Sequence, residues 1–67
     1  MQFINGKAEI KQGRKILAKI IDRPTFYKLN NIPATFAPGL PYMLEFKGMA
    51  RECKSLEEAK FFLNKYI

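Results

Sequence analysis

The stretch from Pro41 to Ile67 constrains the fold more than any other part of this sequence, because it predicts a β-hairpin followed by a capped helix. Apolar side chains alternate with others from Tyr42 to Phe46, the period of two that indicates a half-buried strand. Lys47-Gly48 can form a tight turn, and Met49 to Cys53 then returns as a second strand. This end of the chain therefore predicts a sheet with a helix packed on it.

The helix signal begins at a capping box, Ser55-Leu56-Glu57-Glu58, which directly precedes an apolar run. The predicted helix starts at Leu56 and runs to the carboxyl terminus. At about 100° per residue, one arc of it is apolar and should face the sheet. That arc contains Leu56, Ala59, Phe62, Leu63, Tyr66 and Ile67. Phe61 falls on the opposite, polar side.

Near the amino terminus, Asn5-Gly6 is the strongest short hairpin signal in the sequence. A two-residue turn there pairs Phe3 with Ala8 and Met1 with Ile10. Four apolar side chains then share one face of the predicted sheet.

The segment that follows fits two structures. A three-residue loop over 12–14 would place Ile10 opposite Ile16 and Ala8 opposite Ala18, which continues the apolar face into a strand. A helix over residues 14–22 would instead group Ile16, Leu17, Ile20 and Ile21 on one stripe. The β-branched content and the flanking Gly13 and Pro24 favour the strand.

Residues 24–41 contain four prolines and predict an ordered loop. Thr25 to Leu29 is compatible with a short edge strand, and Asn30-Asn31 and Pro38-Gly39 indicate turns. Too many large apolar side chains occur here for a solvated linker, so we expect some to lie on the core. They are Phe26, Tyr27, Ile32, Phe36 and Leu40.

Together these signals predict one α+β domain over residues 1–67. We expect a small antiparallel sheet of four to five short strands with one C-terminal helix packed on one face. A chain of this length has a small core, so a partner or a second copy would add stability.

The composition argues against catalysis. The sequence has no His, which removes the usual general base and the commonest metal ligand. It has one Cys, so zinc sites and Cys-His nucleophiles are not expected, and its glycines do not form a phosphate-binding loop. Glu45 and Glu52 could share the outer face of the last hairpin, where we interpret them as solvated. We predict a protein that is not an enzyme and needs no cofactor or metal.

The same composition bears on location. Cys53 cannot form an internal disulfide and is interpreted as a small buried hydrophobe in a reducing compartment. The first residues do not resemble a signal peptide, and prolines interrupt the longest apolar stretch, from Ile32 to Leu44. We expect a cytoplasmic protein that does not enter a membrane.

The net charge of +6 favours an acidic partner. Residues 1–28 contain seven Lys and Arg against two Asp and Glu, whereas residues 29–67 contain five against four. If this region forms strands, most of these cations are at odd-numbered positions, whereas the apolar residues of the core face are at even-numbered ones. The cations should therefore share the opposite, exposed face. A basic sheet face with nearby aromatic rings can bind the phosphates and bases of DNA or RNA. The candidate nucleic-acid-binding residues are Lys7, Lys11, Arg14, Lys15, Lys19, Arg23, Phe26 and Tyr27.

The alternative prediction is a small inhibitor or adaptor that presents the same basic face to an acidic or nucleic-acid-binding surface of another protein. Phe61 on the polar side of the helix and Met43 on the outer face of the hairpin are candidate interface residues. A homodimer is expected if Ile4, Leu17 and Ile21 are also exposed. No RNA-binding sheet motif, KH loop or helix-turn-helix pattern is present, so the sequence favours neither partner class strongly.

Overall fold

The structure, a computed structural model, describes residues 2–33 and 39–66. Its strands and helices follow the chain as β1 (Lys7–Gln12), β2 (Lys15–Asp22), α1 (Arg23–Leu29), β3 (Tyr42–Phe46), β4 (Met49–Cys53) and α2 (Leu56–Tyr66). The strands form one antiparallel sheet in the order β1-β2-β3-β4, and α2 packs against β3 and β4. The predicted α+β class and C-terminal helix are confirmed. The short helix α1 is an addition.

The C-terminal hairpin and helix form as predicted. Lys47 and Gly48 both have positive φ, 49° and 80°, and they close a two-residue turn between Phe46 and Met49. At the start of α2, the Glu58 amide donates to Ser55 Oγ at 3.1 Å. The Glu58 carboxylate accepts from the Lys54 amide at 3.3 Å, one residue earlier than a standard capping box. The last residue of the predicted helix, Ile67, lies outside the described residues.

The core lies between the sheet and α2. Its buried members come from three strands and the helix, and they are Ala18, Ile20, Leu44, Phe46, Cys53, Ala59 and Leu63. Ile20 and Cys53 are fully buried, and Leu44 is 1% exposed. We call the side of the sheet that faces α2 the inner face and the opposite side the outer face.

Residues 15–22 form a strand, so the helical alternative for this segment is wrong. The predicted register is also wrong. Gln12 pairs with Lys15 across a two-residue turn, and Ile10 pairs with Ala18. Gly13, with φ 63°, occupies the first turn position, where glycine suits a tight turn.

A bulge reconciles this short turn with the apolar pattern. Lys11 pairs with Ile16 and Ile10 with Ala18, so Leu17 is the extra residue in β2. The bulge keeps Ala18 and Ile20 on the inner face but reverses the parity of the residues before Leu17. Ile16 was predicted to lie on the core face, and this prediction is wrong. Ile16 pairs with Lys11 and is 43% exposed.

The Asn5-Gly6 turn forms as predicted. Both residues have positive φ, 56° and 80°, and Ile4 and Lys7 exchange two backbone hydrogen bonds of 2.8 and 3.1 Å. The pairing is an isolated bridge between Ile4 and Lys7. Met1, predicted to pair with Ile10, lies outside the described residues.

The edge strand predicted at Thr25–Leu29 is wrong, because these residues belong to α1. Asp22 caps this helix by accepting from the Thr25 amide at 3.4 Å and the Thr25 hydroxyl at 2.9 Å. Pro24 lies in the first turn, where a missing amide hydrogen costs nothing. The Asn30-Asn31 turn is confirmed, and Asn31 is left-handed at φ 55°. Phe36 and Pro38 lie outside the described residues.

Candidate functional site

The outer face of the sheet carries balanced charge. Residues of one parity on each strand share this face, and its charged members are Lys7, Glu9, Lys11, Lys19, Glu45 and Glu52. Lys19 lies directly between Glu9 on β1 and Glu45 on β3. Directly opposite side chains of unlike charge attract one another across a sheet. Three lysines and three carboxylates therefore replace the uniformly basic face that the sequence predicts.

Lys15 is the clearest departure from the predicted cluster. It pairs with Gln12, whose parity is that of the inner-face residues Ala8 and Ile10. The bulge at Leu17 is the cause, since it reverses parity between Lys19 and Lys15. Lys15 therefore does not share a face with Lys11 and Lys19.

A second group of cations lies where the two hairpins turn. The β1–β2 and β3–β4 turns are at the same end of the antiparallel sheet, which brings Arg14 and Lys15 to the end that also holds Lys47. All three side chains are exposed. The ion pairs within the described residues join Lys11 to Glu9 at 3.8 Å and Arg23 to Glu52 at 2.8 Å, and neither includes a cation of this group.

An apolar groove lies beside these cations. Its volume is about 390 Å³, and it runs across the sheet from Ile16 and Leu17 on β2 to Met49 and Ala50 on β4. Met49 is 57% exposed, a high value for a large apolar side chain. Lys19, Glu45 and Lys47 provide its polar lining. We call the surface formed by Arg14, Lys15, Ile16, Leu17, Lys47 and Met49 the hairpin end.

Arg23 is not part of an exposed basic face. It is 8% exposed, and its guanidinium donates to the Glu52 carboxylate at 2.8 Å and to the Leu40 carbonyl at 3.2 Å. It also lies 5.8 Å from the centre of the Tyr27 ring. The side chain thus ties α1 and the segment before β3 to the edge strand β4. These contacts indicate a structural role.

The two candidate stacking residues, Phe26 and Tyr27, lie on α1 at the opposite end of β2 from the hairpin end. Both are half-buried, and their ring centres are 6.0 Å apart. The Lys7 ammonium lies 4.6 Å from the centre of the Phe26 ring. Because β2 advances about 3.3 Å per residue, roughly 23 Å separates its two ends. The aromatic pair is therefore remote from Arg14, Lys15 and Lys47.

The two candidate interface residues lie on opposite sides of the sheet. Phe61 is on α2, which covers the inner face, and is 63% exposed. Met43 is half-buried on the outer face, between Ile21 and Glu52. Phe61 and Met43 therefore do not form one continuous patch.

Sequence reasoning missed an aromatic cluster on the inner side of β4. The Arg51 guanidinium lies 3.7 Å from the centre of the Phe62 ring and donates to the Tyr66 hydroxyl at 3.4 Å. Tyr66 stacks on Phe46 with ring centres 5.7 Å apart. The position of Arg51 opposite Leu44 in the predicted hairpin could have indicated contact with the predicted helix arc.

Cys53 is fully buried, as predicted. Burial and the nearby Glu58 carboxylate raise the pKa of its thiol above the ordinary value of 9.0. The neutral thiol is therefore the stable form in the folded protein.

The described residues contain no group of three or more His, Cys, Asp and Glu side chains placed to bind a metal ion. None of the helices in that part of the chain is both long and apolar enough to span a membrane. Comparison with protein-family models, with curated proteins and with solved structures finds no match to this chain.

Proposed function

We propose that this chain is a small non-catalytic adaptor or inhibitor that binds an acidic surface of another protein through the hairpin end. The observation that carries the proposal is the juxtaposition of exposed cations with an apolar groove. Ile16 and Met49 are exposed and line the groove together with Lys47. Arg14 and Lys15 directly precede Ile16 in the chain, and no ion pair within the described residues involves these three cations.

Mixed apolar and basic surfaces suit protein partners. Apolar side chains that become buried provide most of the affinity of such interfaces, whereas complementary charge directs the partner and speeds its approach. The 390 Å³ groove accommodates several apolar side chains, and the flanking cations select a partner with carboxylates around its own apolar centre.

A second candidate function, nucleic-acid binding, is supported by the net charge of +6 and by the same exposed cations. Phosphate contacts by Arg14, Lys15 and Lys47 would give binding that weakens steeply with salt. The separation of these cations from Phe26 and Tyr27 argues against binding that combines phosphate contacts with base stacking.

Two assays carried out on the same variants, affinity capture and oligonucleotide binding, distinguish the two proposed functions. Arg14→Glu/Lys47→Glu reverses two charges at the hairpin end. Lys28→Glu is the control for charge reversal at another site, because Lys28 is exposed on α1 at the other end of β2.

We expect the wild type and Lys28→Glu to capture the same protein from a lysate of the source cells. For the purified partner, the double variant should bind roughly 5- to 30-fold more weakly, since each of the two reversed charge contacts contributes about 0.5–1 kcal/mol. Equal affinity of wild type and double variant would contradict the proposal. Binding of single- or double-stranded oligonucleotides with a steep salt dependence, lost in the double variant, would favour the second function.

A further inference from the structure

Strand β4 is an edge of the sheet in the part of the chain that the structure describes. Edge strands are normally guarded by charged side chains that discourage pairing with another chain. The two charged side chains of β4 are both engaged within the molecule. Arg51 lies on the Phe62 ring, and Glu52 pairs with Arg23.

The backbone of β4 is available along this edge. In an antiparallel pair closed by a two-residue turn, hydrogen-bonded and non-hydrogen-bonded pairs alternate from the turn. Phe46 with Met49 and Leu44 with Arg51 are then the hydrogen-bonded pairs, and Ala50 and Glu52 direct their amide and carbonyl groups away from β3. Within residues 2–33 and 39–66, no strand pairs with the outer edge of β4.

Grooves meet this edge from both faces of the sheet. The 390 Å³ groove of the hairpin end reaches Ala50, which lies on the outer face opposite Glu45. A second groove of about 180 Å³ lies on the inner side, lined by Leu44, Phe46, Met49, Ala50, Arg51 and Tyr66. An extended strand directs alternate side chains to opposite faces, so a strand paired with β4 would place successive side chains beside the two grooves.

We propose that β4 binds an extended segment of the acidic protein partner as a fifth strand, through the backbone groups of Ala50 and Glu52. Lys47 and Lys54 flank β4 and provide positive charge at the two ends of this edge, whereas the carboxylate of Glu52 is neutralised by Arg23. The segment therefore alternates acidic and apolar side chains. A second copy of this chain fits less well, because antiparallel pairing centred on Arg51 would oppose two guanidinium groups. The inference rests on the proposed function and specifies how the partner is bound.

The test uses a peptide that alternates Glu and Val, titrated into ¹⁵N-labelled protein and followed by NMR. We expect shifts and slowed hydrogen exchange at the Ala50 and Glu52 amides. Ala50→Pro removes one outward amide donor without removing a hydrogen bond to β3, and it should weaken peptide binding at least about tenfold. Ala50→Val keeps the amide and is the matched control, expected to bind as wild type does. The circular dichroism spectra of both variants report whether the fold is retained.

Equal peptide affinity of Ala50→Pro and Ala50→Val, with both folded, would overturn the inference. So would shifts confined to β1, or a peptide that alternates Lys and Val binding equally well. If Ala50→Pro leaves the affinity unchanged while Arg14→Glu/Lys47→Glu reduces it, strand addition is wrong and the hairpin-end proposal stands. If the peptide binds neither the wild type nor any variant, the inference is overturned. The affinity-capture experiment with Arg14→Glu/Lys47→Glu then decides the proposed function by itself.

Discussion

The packing of α1 on the first turn makes Gly6 a test of the fold. Gly6 is buried and has φ 80°, and a Cβ atom there would lie 2.6 Å from the Cα of Phe26 and 2.7 Å from its backbone nitrogen. Backbone atoms cannot move as a flexible side chain does, so Gly6→Ala would displace α1 as a unit. Gly48 provides a matched control. It also has φ 80° in a two-residue turn, but nothing lies within 4 Å of its Cβ position.

The expected magnitudes follow from this comparison. Alanine at positive φ costs about 1–2 kcal/mol at either site. Overpacking against Phe26 adds about 1–3 kcal/mol at Gly6 alone. Gly6→Ala should therefore lower the free energy of unfolding by about 2–5 kcal/mol, and Gly48→Ala by about 1–2 kcal/mol. For a domain of this size, each kcal/mol lowers Tm by roughly 4–8 °C.

Urea denaturation followed by circular dichroism measures both variants against the wild type, with thermal melting as a second reading. Equal loss of stability in Gly6→Ala and Gly48→Ala would refute the close approach of α1 to the first turn. A larger loss in Gly48→Ala would refute it as well.

Three further predictions concern the core and the ion pair. In a double-mutant cycle, Glu52→Ala and Arg23→Met should show a coupling energy of about 1–3 kcal/mol. The reason is that the Arg23 guanidinium lies 2.8 Å from the Glu52 carboxylate and the Arg23 side chain is only 10% exposed. Additive effects of the two substitutions on urea unfolding would contradict this prediction. Ile20→Val should cost about 0.5–1.5 kcal/mol, since it removes one methylene from a fully buried site, and a neutral result would place Ile20 outside the core. The raised pKa of Cys53 means that its thiol holds the proton more strongly in the folded state than in the unfolded state. The contribution of this thiol to the free energy of unfolding is therefore complete below the ordinary pKa of 9.0. It is lost as the pH rises through the pKa of the folded state. The stability of the wild type should fall relative to Cys53→Ala in that alkaline range, and parallel pH profiles of the two proteins would contradict the burial of the thiol.

Local signals predicted the C-terminal half of the fold. The alternation in β3, the Lys47-Gly48 turn and the Ser55 cap all act within a few residues, and each corresponds to a feature of the structure. The Asn5-Gly6 turn was predicted for the same reason. Helix α1 was missed because the four prolines of residues 24–41 were interpreted as a loop, although Asp22, two residues before Pro24, indicates a helix that begins there.

The register of β2 could not be obtained from the apolar pattern alone. A three-residue loop and a two-residue turn followed by a bulge both place Ala18 and Ile20 on the core. The two differ in which residues of β1 pair with Ala18 and Ile20, and in the parity of Lys15 and Ile16. That difference decides the candidate site, because the predicted basic face depended on a constant parity from Lys7 to Arg23.

The balance of the outer face has a similar cause. Glu9 lies on β1 with Lys7 and Lys11, whereas only the sheet order brings Glu45 and Glu52 of β3 and β4 onto the face of these lysines. Counting charges along residues 1–28 omits the carboxylates that β3 and β4 contribute. The hairpin end likewise depends on two turns 34 positions apart in the sequence. Gly13-Arg14 and Lys47-Gly48 lie at the same end of the antiparallel sheet.

The most direct test of the hairpin end is to locate where an anionic probe contacts the protein. Poly-glutamate titrated into ¹⁵N-labelled protein at low salt should shift the amides of Arg14, Lys15 and Lys47. The amide of Lys7, whose side chain lies on the outer face at the other end of β2, should change little. Shifts centred on Lys7, with Arg14 and Lys47 unaffected, would contradict the account.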